Sequence, residues 1–462
     1  MSFNGQTILV VGAARSGIAA ARFLLDSGAR VVLTDSKPVE RLPELTPLLD
    51  GPGSDRLALE LGGHRAESFR DCDLIVVSPG VPLSLAEFEI SRRSGIPIIG
   101  EIELASRHMR GRIIGITGSN GKTTTTALVA GLLAGAGLRA HAAGNIGTPL
   151  ISLASGSTAE DIYAVELSSF QLEGIDRFRP FIGSILNLTP DHLDRYASFD
   201  DYIAAKQRMF LNQTPAEFAV LNRDDSRTAA IARMVRSTPV MFSRLGAITR
   251  GTFTRNGTLV YRDEAGERDL FPADAIRLKG AHNLENVLAA CAMAILAGAP
   301  AESLEESVRE FRGVEHRIEY VAEINGVQYF NDSKATNVDA TVKSIEAFPG
   351  NILLIAGGRD KAGDFTVMRS LVRKRVRHLV LIGEAADKIR KALSGAADMS
   401  EAPSMEDAVS MCSRLAKPGD VVLLAPACAS FDMFQDYEHR GRVFKEAVCR
   451  IQRVGEREKR DA

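Results

Sequence analysis

Arg112 to Ala136 reads RIIGITGSNGKTTTTALVAGLLAGA. Ile113, Ile114 and Ile116 have the character of a buried strand; Gly115, Gly118 and Gly121 then predict a tight loop, and Lys122 opens an Ala/Leu-rich helix. Glycines let backbone N–H groups approach an anion. The first helical turn adds unpaired donors and a positive dipole end, and Lys122 adds a point charge. The pattern is a phosphate cradle, with Gly118, Ser119, Asn120, Gly121, Lys122, Thr123 and Thr124 as its candidate contacts and the Thr123 hydroxyl placed for a magnesium ion. Five residues separate Gly115 from Gly121, one more than in the common nucleotide-binding signature, but the Gly-Lys-Thr ending is intact. A merely structural Gly-rich turn with a solvated lysine is the competing reading, and the strand before and helix after count against it.

Outward from this stretch, 462 residues exceed what one hydrophobic core usually organises, so two to four domains are expected. The 56 Lys+Arg and 58 Asp+Glu leave a net charge of −2, which gives no ground for nucleic acid or an anionic membrane as the main partner. The five cysteines (Cys72, Cys291, Cys412, Cys428, Cys449) lack CxxC spacing, which argues against zinc and a disulfide framework and fits a reducing cytosol. The opening MSFNGQTILVV has no basic segment before its short apolar run, and no apolar run approaches membrane-spanning length. A soluble, cytoplasmic, monomeric protein is the expectation.

Short apolar runs, each followed by a helical pattern, give the rhythm of parallel α/β sheets. In the first region, to about Gly100, Ile8–Val11 predict a strand, Gly12–Gly17 a turn, Ile18–Leu25 a helix, and Val31–Leu33 a second strand ending at Asp35. A further strand, Leu74–Val77, ends at Ser78. This is a dinucleotide-type βαβ unit whose fingerprint is damaged, because Ala14 replaces the second glycine. A diphosphate could still sit at the helix N-terminus near Arg15 and Ser16; a purely structural turn is the equal alternative.

The second region, about Glu101 to Gly313, places Asn145 in a glycine-flanked turn and Glu166 at the end of strand Asp161–Val165. Ligands gather at such strand ends, so Glu166 can offer a hard oxygen to the magnesium on Thr123. Strand Phe181–Leu186 leads to NLTPDHLDRY, with Asn187, Asp191, His192 and Asp194 at another sheet edge. Position at a strand end favours His192 as a site residue over a satisfied surface histidine. In YIAAKQRMF, Lys206 reads from the residues alone as an ordinary solvated lysine. Asn256-Gly257 predicts a hairpin. Lys279–Asn286 leads into an Ala-rich helix, where its amides either read a base edge or cap the helix.

The third region, about Val314 to Ala462, opens with HRIEY and NDSKATN, which puts Asp332, Lys334 and Thr336 at a strand-to-loop junction. Strands at Ile352–Ile355, Leu379–Ile382 and Val421–Leu424 predict another doubly wound domain, with Ser430 in its final loop. The tail RIQRVGEREKRDA reads as a fraying helix end.

GITGSNGKTTT, YAVELSSFQLE, NLTPDHLDRY, YIAAKQRMF, GAHNLEN, EHRIEY, NDSKATN and PACASFDMFQDYEHRG, in this order from about Ile8 to Phe444, resemble the Mur ligases. The ATP segments would suit every Mur ligase and the folylpolyglutamate synthases; NDSKATN and PACASFDMF point to the D-glutamate-adding branch. The resemblance implies an α/β fold of three domains: a Rossmann-like UDP-sugar domain (1–100), a central P-loop-type ATPase domain with a mostly parallel sheet (101–313), and a Rossmann-like amino-acid domain (314–462). It implies ATP-driven amide synthesis, in which UDP-N-acetylmuramoyl-L-alanine is activated as an acyl phosphate and D-glutamate displaces phosphate.

By the same resemblance, Lys122, Thr123 and Glu166 would bind phosphates and a first magnesium, and His192 a second. Lys206 would act as a carbamate, an anionic ligand that an unmodified lysine could not provide. Asn286, Arg317 and Asp332 would contact adenosine. D-Glutamate would meet Lys334 or Lys361, Thr336 and Ser430, with Tyr437 nearby, while Arg15, Ser16, Asp35, Ser36, Lys37 and Ser78 would hold UDP and Asn145 the muramoyl part, with His192 also on the UDP substrate. Two positions depart from the family pattern: Lys37 stands for an Arg and loses its bidentate fork, and Tyr437 stands for a Phe, which leaves a hydroxyl in need of a partner. Competing with this are a sister ligase, which for a diamino acid would want an acidic pair where Lys334 and Thr336 stand, and a dehydrogenase or nucleotide sensor, which leaves the central loop unexplained.

Overall fold

The structure, a computed structural model, describes residues 2–42, 45–145, 147–192, 195–278, 280–361 and 363–461; Asp194 and Lys279 lie outside the described residues. Three mostly parallel sheets make a three-domain α/β protein. By packing, the chain divides into two units. Met1–Pro190, Tyr196–Ala275 and Glu285–Glu310 form one, with two of the sheets; Asp191–Arg195, Ile276–Leu284 and Phe311–Ala462 form the other.

In the first unit, β1 (Thr7–Val11), β2 (Arg30–Asp35), β3 (Leu57–Leu61), β4 (Leu74–Val77) and β5 (Ile98–Gly100) form a parallel sheet in the order β3-β2-β1-β4-β5. Ile8 through Val11 are all fully buried, as expected of a strand covered on both faces. The helix after β1 starts at Arg15, three residues earlier than the apolar pattern predicts, because its N-cap is Ala14 and no side chain marks the boundary. Gly17 is required there: a Cβ would lie 1.8 Å from the Gly12 carbonyl oxygen.

The second sheet of this unit contains β6 (Arg112–Thr117), β7 (Ala140–Gly144), β8 (Ile162–Glu166), β9 (Ile182–Ile185), β10 (Phe218–Asn222), β11 (Thr238–Ser243), β12 (Gly251–Arg255), β13 (Thr258–Asp263) and β14 (Gly266–Pro272). Their order is β14-β13-β12-β11-β10-β9-β6-β8-β7, parallel except where β12, β13 and β14 form hairpins. Asn256 and Gly257 turn the first hairpin with φ of 49° and 79°, as predicted. β6 lies between β8 and β9, so the loop that follows it opens at the middle of the parallel strand ends. Gly115 corrects the sequence reading. It lies inside β6, where a Cβ would stand 2.6 Å from Met209 Sδ, so it serves close packing and the loop proper begins at Gly118.

The second unit holds β15 (Glu319–Ile324), β16 (Val327–Asn331), β17 (Ile352–Gly357), β18 (Val376–Ile382), β19 (Asp398–Glu401) and β20 (Val421–Leu424), ordered β15-β16-β20-β17-β18-β19 and parallel except for β15. Alternate residues feed two apolar layers: Phe330, Leu354, Leu381 and Leu423 pack in one, and Tyr329, Leu353, Val380 and Val422 in the other. The tail continues a helix, Tyr437–Asp461.

Candidate active site

Gly118 (φ 153°) and Gly121 (φ 82°) take backbone conformations that side chains disfavour, and between them the chain turns from β6 into helix Lys122–Gly135. Asn187 holds this loop at two points: Asn120 N donates to its Oδ1 at 2.8 Å, and its Nδ2 donates to Asn120 O at 3.1 Å. Ser119 Oγ donates to Thr189 O at 2.8 Å and accepts from Thr189 N at 2.9 Å. The segment after β9 therefore clamps the cradle. Lys122 Nζ donates to Gly118 O and Ser119 O, both at 2.9 Å. Asn286 lies within helix Ala281–Leu296 and does not cap it; its Oδ1 would be 2.3 Å from a Cβ on Gly121, so the glycine admits the amide to the loop.

β8 delivers Glu166 beside β6, in register with Ile116. Glu166 is 1% exposed, and its Oε1 accepts from Asn145 Nδ2 at 2.8 Å. Lys206 overturns the solvated reading: it is 1% exposed. Helical spacing puts it on the face of Tyr202, 4.5 Å from the ring centroid, and its Nζ donates to Thr117 Oγ1 at 3.2 Å and Gly118 O at 3.0 Å. Thr123 Oγ1 is buried without a hydrogen-bond partner among the described residues, as are those of Thr124, Thr125 and Thr126; Thr123 is the one that follows Lys122. An orphaned hydroxyl and a buried carboxylate in one unit are hard oxygen donors, and they fit magnesium.

A cavity of about 590 Å³ in the same unit is lined by Arg15, Ser16, Asp35, Ser36, Lys37, Ser78 and Asn145, seven of the eight residues expected on the UDP substrate; the eighth, His192, is not in its lining and belongs to the second unit. Asp35 shapes its wall, with Oδ2 accepting from Ala13 N at 2.7 Å and Oδ1 from Lys37 N at 2.8 Å. Ser78 Oγ donates to Gly12 O at 2.8 Å, and Arg15 reaches the carbonyl of Gly147. His64 and Gln171 also line the cavity and were not anticipated. Gln171 belongs to a capping box with Ser168, and the S-S-F-Q spacing at 168–171 could have revealed it.

The second unit holds the remaining candidates. His192 adopts φ 55°, with Nε2 3.7 Å from Asp191 Oδ2. Asp332 is buried, accepts from Ser344 Oγ, and has its carboxyl pushed above the usual range by burial, with the Arg317 charge opposing. Lys334 Nζ lies 5.0 Å from the Tyr437 ring centroid. The Tyr437 hydroxyl finds the partner that sequence could not name, donating to Glu438 Oε1 at 3.0 Å. Ser430 is 2% exposed and Lys361 is exposed.

Three family descriptions match the chain: a Mur ligase MurD-like N-terminal domain over residues 6–100, a Mur ligase middle domain over 116–294, and a Mur ligase glutamate ligase domain over 316–428. A UDP-N-acetylmuramoylalanine–D-glutamate ligase of Koribacter versatilis is 48% identical, with 100% of each chain covered. The ligase of that name from Acidobacterium capsulatum is 49% identical over 97% of each. Among solved structures, a pseudomurein peptide ligase type C from Methanothermus fervidus aligns with a TM-score of 0.61 at 18% identity, covering 97% of this chain and 100% of that one. UDP-N-acetylmuramate-alanine ligase MurC from Thermotoga maritima aligns with a TM-score of 0.59 at 19% identity, covering 96% and 99%. These two likenesses concern the fold.

Proposed function

The chain belongs to the Mur ligase family, and on that premise we propose the division of labour among its residues. It is an ATP-dependent ligase that adds D-glutamate to UDP-N-acetylmuramoyl-L-alanine in peptidoglycan precursor synthesis. The loop amides and Lys122 grip the phosphates of ATP. The terminal carboxylate of the UDP substrate attacks the γ-phosphorus and ADP leaves; the D-glutamate nitrogen then attacks the acyl carbon, phosphate leaves, and the amine gives up a proton. Magnesium, which this family uses with ATP, supplies charge screening when bound at Thr123 and Glu166, with His192 for a second ion.

Arg15, Ser16, Asp35, Ser36, Lys37 and Ser78 hold UDP, and Asn145 the muramoyl part. Asn286, Arg317 and Asp332 serve the adenosine; Lys334, Lys361, Thr336, Ser430 and Tyr437 serve D-glutamate. Lys206 acts as a carbamate, which turns a buried cation into an anionic ligand. We place the domain limits near 100 and 313, since β5 ends at Gly100 and the third sheet starts at Glu319. One chain supplies every candidate residue, so a monomer suffices.

The observation that carries the mechanism is the phosphate loop backed by buried Glu166 and Lys206 and by the orphaned Thr123 hydroxyl. The test is ADP release over a substrate panel. Release is expected only with UDP-N-acetylmuramoyl-L-alanine and D-glutamate together; equal turnover with L-glutamate, L-lysine or a folate would move the assignment to a sister enzyme.

A further inference from the structure

Arg440, in the helix that starts at Tyr437, is 0% exposed. Its Nε donates to Ser333 Oγ at 3.0 Å and its Nη2 to Ser333 O at 2.8 Å. Both terminal nitrogens donate to Cys428 O at 3.2 Å, and Nη1 also to Ala429 O at 3.2 Å. Ser333 Oγ passes the link back to the helix by donating to Tyr437 O at 2.7 Å.

The gripped loops leave neighbouring strands: 331–337 follows β16 and 425–430 follows β20, and β16 pairs with β20 as far as Asn331 opposite Leu424. The first bears Lys334 and Thr336 and the second Ser430, while Tyr437 lies one turn before Arg440. The second loop contains a backbone that needs holding. Ala427 has φ 60°, left-handed for a residue with a Cβ, and its N–H donates to Ala335 O of the first loop at 2.9 Å.

Among the described residues no carboxylate forms an ion pair with Arg440, and burial lowers its pKa to about 10. The Asp432 charge opposes that shift without forming an ion pair, and a buried charge held mainly by carbonyls is a poor stability device, since an apolar side chain of like volume commonly does better. What the guanidinium supplies is a rigid planar fork whose donors reach carbonyls of two loops at once, which an ammonium cannot match.

We propose that Arg440 is the positioning residue of the amino-acid subsite: without touching substrate, it locks the Lys334–Thr336 and Ser430 loops in the register that a dicarboxylic amino acid requires. This rests on the D-glutamate reading of that subsite.

The test is steady-state kinetics of Arg440→Lys and of the milder Ser333→Ala, which removes one acceptor and keeps the charge. The expected result is a rise of about tenfold or more in KM for D-glutamate, with KM for ATP and for the UDP substrate held within about twofold. A role in stability alone would lower Tm and the active fraction and leave that KM in place. An unchanged D-glutamate KM in folded Ser333→Ala or Arg440→Lys overturns the proposal. Failure of the wild-type enzyme to consume D-glutamate overturns the subsite reading itself, and the proposal with it.

Discussion

Asn145 Nδ2 donates to Glu166 Oε1 at 2.8 Å, and Asn145 N donates to Glu166 O at 2.9 Å. One residue thus lines the 590 Å³ cavity and orients the buried carboxylate at the end of β8. Outer partners of a metal-ligating carboxylate commonly matter by about 10–100-fold. Asn145→Ala is therefore expected to raise both the half-saturating magnesium concentration and the KM for the UDP substrate by about tenfold or more. Titrating ADP release against magnesium checks this. A change in the UDP-substrate KM with the magnesium curve unmoved would separate the two roles and sink the coupling.

Lys206 is buried beneath the phosphate loop with its Nζ against Thr117 and Gly118, so the proposed carbamate would reverse the charge there. Lys206→Ala is expected to lose at least about 10²-fold in kcat, the scale of removing a group that stabilises developing charge. Prolonged removal of carbon dioxide should lower wild-type activity, and bicarbonate should restore part of it. A ¹³C carbamate signal from labelled bicarbonate, missing in the variant, is the direct measurement. Full activity of Lys206→Ala would falsify the carbamate role.

The placement of several candidate residues was legible in the sequence because they stand at strand ends. Glu166 and Asn187 close or follow the apolar runs of β8 and β9, parallel strands that deliver them to one edge of their sheet. Asp332 follows β16 in the same way at an edge of the third sheet. Lys206 was misread for the opposite reason: its partners Thr117 and Gly118 are 89 and 88 residues away along the chain, and helical spacing alone cannot say that the face it shares with Tyr202 is covered. Arg440 was overlooked likewise, since its acceptors are mostly backbone carbonyls, which every sequence possesses. β3 and β5 escaped because LALEL is only partly buried and IIG spans three residues, too short for any period to show.

Asn187 clamps Asn120 through both its amide oxygen and its amide nitrogen. Losing two such bonds costs about 2 kcal/mol of loop order. Asn187→Ala should raise the KM for ATP by about tenfold while the UDP-substrate KM stays near wild type. Calorimetric titration with nucleotide reads the same loss without turnover. Unaltered nucleotide affinity would mean that the loop keeps its shape without the clamp.

Glu101 opens helix Glu101–His108 and is 1% exposed. Oε1 accepts from Ile151 N at 2.8 Å, Oε2 has no hydrogen-bond partner among the described residues, and burial pushes the carboxyl up to about 7 from 4.5. Because the folded value lies above the unfolded one, its contribution to stability is fully present below pH 4.5 and is lost as pH rises through about 7. The loss is on the order of 3 kcal/mol. Glu101→Gln, which carries no charge to desolvate, is expected to raise Tm over wild type at pH 8 and to match it near pH 4.5. Thermal melts of both proteins across that range decide the matter: a pH-independent difference would show that the carboxyl stays ionised in the fold, with solvent or a counter-charge meeting Oε2.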